Sequence, residues 1–385
     1  MNPTHSMRGQ LFVLRTLQFA NYASMVLLVA YFPLYFESKG FSKLQIGAIY
    51  SVGPLLSIIS NLAVGVLSDR TKNLPRILNV LYAVQILALA WLLPQKEFAI
   101  MAGIMALFYF FQTPNNSMLD SVSLLAAERM KISFPSIRMY GSLGYAICAV
   151  IFGYVLKVYG SNLTIPIILC VISISLIFSF FIGDYQATLR KFEFKGLFAL
   201  LRRRETLVFF GLIMFVSAAH RMNEGFLSVA MREIGADDSV IGYASLASAV
   251  SEIPIFFLLA KYGHRFREFP LLAIASSMYV VRLSLLSMAT EPWMMVALQM
   301  LHALTFAIFY ITALRCLQAL IPDEYRSSGQ AVFAVVWSGL AGLIAGTLGG
   351  WLYDSFGLAY VFRIGAVFAL LGAVGFWLAN LRREN

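Results

Sequence analysis

Charge is scarce in this chain. Only 12% of its 385 residues are Asp, Glu, Lys or Arg, whereas 60% are hydrophobic and 14% aromatic, and the mean hydropathy is +0.78. Soluble domains carry roughly twice that share of charge, so a soluble fold is excluded and an integral membrane protein is implied. Cysteine is scarcer still: Cys148, Cys170 and Cys316 lie in apolar stretches at no metal-ligand or redox spacing. They read as buried packing residues, and no metal or other cofactor is implied. The phosphate-binding pattern Gly-x4-Gly-Lys-Ser/Thr is missing, which excludes an ATP motor within the chain. No nucleophile–base constellation stands out, so an enzyme is not expected. The apolar runs do not alternate with polar residues and are about twice a barrel strand in length, which excludes a transmembrane β-barrel. The first run is too long for a signal-peptide core and no small-residue cleavage site follows a short one, so no cleavable leader is expected.

What is present is a series of about twelve apolar runs, each close to the roughly 20 residues that cross a bilayer as a helix. They cover 11–36, 44–67, 77–93, 98–127, 138–158, 163–182, 207–231, 240–260, 269–289, 293–320, 328–353 and 359–381. Basic residues accumulate in alternate connections. Arg70, Lys72 and Arg76, then Arg129 and Lys131, then the stretch from Arg190 to Arg204, and later Lys261, Arg265 and Arg267, all fall on one side. That bias predicts both termini in the cytoplasm, and it explains the net charge of +10 as topology and not as nucleic-acid binding.

Against this background seven ionisable side chains stand inside or at the ends of apolar runs: Asp120, Arg138, Arg221, Glu224, Glu252, Arg282 and His302. A charge near the bilayer centre costs at least about 2.5–3.5 kcal/mol, so each is expected to face a partner or a wet cavity and to mark a substrate or proton path. The chain also echoes itself at about half its length. Gly40 and Ile46-Gly47 open the second run as Gly235 and Ile241-Gly242 open the eighth, and Arg138-Met139-Tyr140-Gly141 is echoed by Arg326-Ser327-Ser328-Gly329. Two parallel six-helix halves suit transport by alternating access, with the polar groups of the fourth, fifth, eighth, ninth and tenth runs converging on a wet chamber. We therefore expect an N-terminal bundle over 1–182, a basic linker over 183–206 and a C-terminal bundle over 207–385.

The run Gly65-Val66-Leu67-Ser68-Asp69-Arg70 resembles the loop signature after the second helix of the major facilitator superfamily, although Thr71, Lys72 and Asn73 replace its usual ending. Further matches resemble the lactose-permease and phenylpropionate-permease branch of that superfamily. They are Ala30-Tyr31-Phe32-Pro33, Arg138 to Ala146, Val281-Arg282, Leu301 to Phe306 and Trp351-Leu352-Tyr353-Asp354. The resemblance implies an all-α membrane protein with twelve transmembrane helices in two pseudo-symmetric six-helix bundles, the major facilitator fold. It implies a monomer without a cofactor or obligate partner, in a bacterial cytoplasmic (inner) membrane. Gly65, Asp69 and Arg70 become a cytoplasmic gate; a solvated charge cluster is the simpler alternative.

By the same resemblance Asp120, Arg138, Tyr145 and Glu252 bind substrate, Tyr145 standing where an aromatic ring stacks on a sugar. Glu252, Arg282 and His302 occupy proton-coupling positions. The physics of the residue types agrees, because a guanidinium forks two N–H groups to a polar ligand in a way that Lys cannot. A fixed Asp120–Arg138 salt bridge, and an internal Glu252–Arg282 pair, are the structural alternatives. Three departures matter: Thr305 replaces an expected carboxylate, and Gln299 and Leu340 replace lysines. Thr305 cannot hold a proton, so coupling shifts to Glu252, Glu224 or Asp120. Arg221 and Glu224 are i, i+3 neighbours in the cluster His220-Arg221-Met222-Asn223-Glu224, suited to a gate, a proton relay or a local ion pair. The expected function is proton-coupled symport of a sugar or oligosaccharide. An aromatic-carboxylate importer of phenylpropionate type and a drug or metabolite exporter of the same fold stay open.

Overall fold

In the computed structural model, residues 7–71, 73–132, 134–183, 203–321 and 326–384 are described. Twelve helices among them are long and apolar enough to cross a membrane. They are α1 (Met7–Ser38), α2 (Lys43–Thr71), α3 (Leu74–Leu92), α4 (Phe98–Met130), α5 (Pro135–Tyr159), α6 (Thr164–Ser179), α7 (Arg204–Glu233), α8 (Asp238–Tyr262), α9 (Glu268–Leu286), α10 (Pro292–Leu320), α11 (Val332–Phe356) and α12 (Leu358–Glu384). No strand occurs among the described residues. The expected all-α, twelve-helix membrane architecture is present. Most of the predicted 183–206 linker lies outside the described residues, as do the side chains of Gly65, Asp69 and Arg70, whose backbone forms part of α2.

The helices divide into two compact units. Unit 1 comprises Met1–Phe41, Leu55–Leu189 and Asp237–Leu246; unit 2 comprises Ser42–Pro54, Arg190–Ala236 and Ala247–Asn385. Within unit 1, α1 packs on α5 and α6, and α3 on α4 and α6. Within unit 2, α12 packs on α9 and α7, α11 on α7, and α10 on α9. Cys148 and Cys316 are buried as expected, but Cys170 is exposed, on an outward face of α6.

The echoed glycines have a backbone cause. Gly40 and Gly235 end their helices at φ +85° and +93°, a region that costs side-chain-bearing residues strain. Gly47 and Gly242 serve close approach instead. A Cβ on Gly47 would strike the carbonyl of Gly346 in unit 2, and one on Gly242 would strike the carbonyl of Ala149 in unit 1. Tyr31 seals the second contact by donating its hydroxyl to Ala149 O at 2.7 Å. Gly346 in turn faces Ser51 and Gly47 with no room for a methyl group. Gly346→Val is therefore expected to destabilise the protein by about 1–3 kcal/mol through overpacking, read as a lower thermal midpoint.

Carboxylates finish two helix starts. Asp354 accepts from the Lys43 and Leu44 amides at 3.0 and 2.9 Å, covering the N-terminus of α2. Asp237 caps α8 by accepting from the Val240 amide at 3.0 Å and pairs with Lys157 at 2.9 Å. Burial pushes the Asp237 carboxyl up, but the Ser239 hydroxyl, the Lys157 ammonium and the Val240 amide together outweigh it and hold the pKa at about 2. A depressed carboxylate pKa stabilises the fold above the ordinary range, and the contribution fades as pH falls through about 2. Asp237→Asn is expected to lower the thermal midpoint at pH 7, with the difference from the parent closing below about pH 3.

Among the described residues three helices contain a wider, π-helical turn: Leu27–Tyr31 in α1, Ala303–Ala307 in α10 and Val335–Leu340 in α11. The first precedes Pro33, whose ring crowds the carbonyl four residues earlier and lacks an N–H. The other two carry side chains of the polar cluster in unit 2, in keeping with the frequent placement of such turns at functional positions.

Candidate functional site

In unit 1 a charged polar cluster is built from α1, α4 and α5. Arg138 Nε stands 3.6 Å from Asp120 Oδ1, too far for a tight bidentate pair. The guanidinium is instead turned towards Tyr22, lying 4.0 Å from the ring centroid and donating from Nη2 to the phenol oxygen. Asp120 Oδ1 also accepts from Gln18 Nε2 at 2.9 Å, and Gln18 reaches Ser123 at 3.2 Å. One turn away Asn21 donates to Asn116 at 2.5 Å. Both charged side chains retain solvent access, 40% for Asp120 and 29% for Arg138. Among the described residues no partner reaches Asp120 Oδ2, so the pair is poised with donor and acceptor edges unspent. Tyr145 is half-buried two turns further along the same face of α5. The ring on Arg138 is that of Tyr22.

Unit 2 holds the larger cluster, on α7, α8, α9, α10 and α11. Arg282 is 1% exposed, and its partners are neutral: His302 Nδ1 at 2.8 Å, Thr305 Oγ1 at 3.1 Å and the Gln299 side-chain oxygen. Its Nε is buried without a partner among the described residues. Glu252 meets His302 rather than Arg282, with Oε1 2.9 Å from Nε2. The order Arg282–His302–Glu252 fixes the histidine tautomer. A guanidinium only donates, so Nδ1 accepts; the ring proton then sits on Nε2 and is donated to the carboxylate. A second proton on His302 would set N–H against N–H and expel Arg282. Protonation of Glu252 would remove the counter-charge that a buried Arg282 requires.

The α7 residues form a second strand of the same cluster. Arg221 Nη1 meets Glu224 Oε2 at 2.6 Å, and Nη2 donates to Ser338 on the π turn of α11 at 2.9 Å. His220 Nδ1 lies 3.2 Å from the Tyr279 hydroxyl, while its Nε2 is 3.8 Å from Glu224, beyond a hydrogen bond. Its ring stacks on Phe306, Trp337 and His302 at centroid distances of 5.0, 5.4 and 5.8 Å. Phe306 continues the stack to Tyr310 at 5.3 Å. Arg221 and Glu224 are each more than a quarter exposed, so a double-mutant cycle with Arg221→Gln and Glu224→Gln is expected to return a coupling of about 0.5–1 kcal/mol in thermal stability.

Reading charges alone overlooked the neutral partners: Gln18, Tyr22, Asn21 and Asn116 in unit 1, and Tyr279, Ser338 and the Phe306–Trp337 rings in unit 2. The amides of α1 and α4 were a visible signal, since Gln and Asn are themselves unusual inside apolar helices. Gln299 and Thr305, noted as losses of a lysine and a carboxylate, serve as acceptors for Arg282.

The family model described as "MFS_1 like family" matches residues 11–364. The chain belongs to that family. This MFS_1 like chain is thus a multi-pass secondary transporter of major facilitator type, and not an enzyme. It is 23% identical over 360 residues to the "Probable 3-phenylpropionic acid transporter" of Escherichia coli (strain K12), covering 91% of this chain and 93% of the relative. It is 22% identical over 364 residues to the "Maltose permease" of Geobacillus stearothermophilus, covering 91% and 89%. In fold, the MFS_1 like chain matches the crystal structure of nucleoside transporter NupG with a TM-score of 0.85 at 17% identity, covering 98% of this chain and 99% of that one.

Proposed function

We propose that this transporter imports a small hydroxyl-bearing organic solute of sugar type together with a proton, by alternating access, in a bacterial inner membrane with both termini cytoplasmic. The Arg282–His302–Glu252 chain carries the reading. It supports Glu252 as the proton carrier, since the second oxygen of that carboxylate has no partner among the described residues and its charge is linked through His302 to a buried guanidinium. Asp120 and Arg138, with the Tyr22 face beside them, supply the acceptor, the forked donor and the ring that a polyol uses. The permease relative is named for a sugar, which favours the same class.

A second reading, an aromatic carboxylate, is favoured by the His220–Phe306–Tyr310 stack near two arginines and by the relative named for 3-phenylpropionic acid. A thermal-shift screen of the purified protein against monosaccharides, oligosaccharides, nucleosides and 3-phenylpropionate separates them. Stabilisation by a sugar and not by the acid is the expected outcome, and the reverse pattern replaces the first reading with the second.

A further inference from the structure

The flank of unit 1 formed by α1 and α5 carries a pocket of about 550 Å³ that neither polar cluster uses. Its walls include Arg8, Leu11, Phe12, Arg15 and Phe19 of α1, and Tyr140 of α5. The α1 residues recur at the helical period and so share one face over the first turns of the helix. Arg8 and Arg15 are seven residues apart, which sets their side chains about 10 Å apart along the axis, one near the helix start and one two turns deeper. Arg15 lies with its guanidinium 4.8 Å from the Tyr140 ring centroid. Its Nε is buried with no hydrogen-bond acceptor among the described residues. Among the described residues no carboxylate lines the pocket. Phe12 is 63% exposed, a large apolar group presented outward from the same face.

We propose that this pocket holds one anionic phospholipid, its phosphodiester taken by Arg15 and Arg8 and an acyl chain laid along Leu11, Phe12 and Phe19. Planar forked donors match phosphate oxygens, and a deep arginine extends its head towards the headgroup layer while its stem packs on apolar surface. The charge pattern selects the lipid class. Two cations without an acid suit a headgroup of net negative charge, whereas a zwitterionic headgroup brings a cation of its own next to Arg8. The apolar wall selects a lipid over a free phosphate ester, which has nothing to place there.

The test is native mass spectrometry of the full chain in detergent with three probes: phosphatidylglycerol, phosphatidylcholine of the same acyl chains, and glycerol 3-phosphate. One retained phosphatidylglycerol per chain is expected, with neither other probe retained. Each arginine contributes about a fivefold preference, so Arg8→Gln with Arg15→Gln together is expected to weaken retention about 25-fold. Arg15→Lys, which keeps the charge and loses the fork, is expected to weaken it about threefold. Equal retention of phosphatidylcholine, displacement of phosphatidylglycerol by glycerol 3-phosphate, or undiminished retention by the double variant overturns the proposal. Where the double variant does not fold, the parent's discrimination between the two lipids decides alone.

Discussion

In proteoliposomes with an inward proton gradient, Glu252→Gln is expected to abolish solute accumulation while solute exchange across the membrane continues. One pH unit is worth about 1.4 kcal/mol, so a one-to-one symporter accumulates its solute about tenfold and an uncoupled variant about onefold. Gln keeps the size of the side chain and the oxygen that accepts from His302 Nε2, which is 2.9 Å away. The substitution therefore removes the titratable proton with little change of shape. His302→Gln is the informative companion, because an amide both accepts from Arg282 and donates to Glu252. It is expected to slow uptake yet leave accumulation gradient-driven. Accumulation by Glu252→Gln equal to the parent would take that carboxylate out of the mechanism, and loss in His302→Gln alone would move the proton to the histidine.

The second large effect concerns binding in unit 1. Asp120→Asn and Arg138→Lys are each expected to weaken solute affinity about 10- to 100-fold in calorimetric titration. A charge-assisted hydrogen bond is worth about 1.5–3 kcal/mol, and a lysine reproduces neither the fork nor the stacking on Tyr22. Geometry separates this expectation from a fixed salt bridge. The pair stands at 3.6 Å with both partners solvent-accessible, and Arg138 is held chiefly by the phenol and ring of Tyr22. A structural bridge predicts the reverse pattern, a fall in thermal midpoint with affinity intact. Tyr22→Phe removes only the hydroxyl and keeps the face, and is expected to cost about fivefold in affinity.

Sequence made the class and helices legible because the membrane imposes a long, uniform apolar period that few other environments require. The predicted run 98–127 became Phe98–Met130, extended by a turn to where Lys131 in the left-handed region terminates it. The echoed Gly40 and Gly235 both adopt positive φ just after a helix, a conformation that leaves a residue-type signature in sequence. The site was legible only in its charges. Asp120, Arg138, Glu252, Arg282 and His302 stood out because charge in apolar runs is costly, but who pairs with whom was not readable. The alternative of a Glu252–Arg282 pair fails because His302 stands between them. Pairing across helices depends on helix rotation, and the π turns at Ala303–Ala307 and Val335–Leu340 shift that rotation; neither contains a proline, and Gly339 in the second does not stand apart from the other glycines of α11.

The most direct measurement is a pH-electrode recording from de-energised proteoliposomes when the solute identified by thermal shift is added. External alkalinisation that follows solute entry, with about one proton removed per solute molecule, and that vanishes in Glu252→Gln is the expected result. Solute entry without a pH change, or alkalinisation of full size in Glu252→Gln, contradicts coupling through that carboxylate.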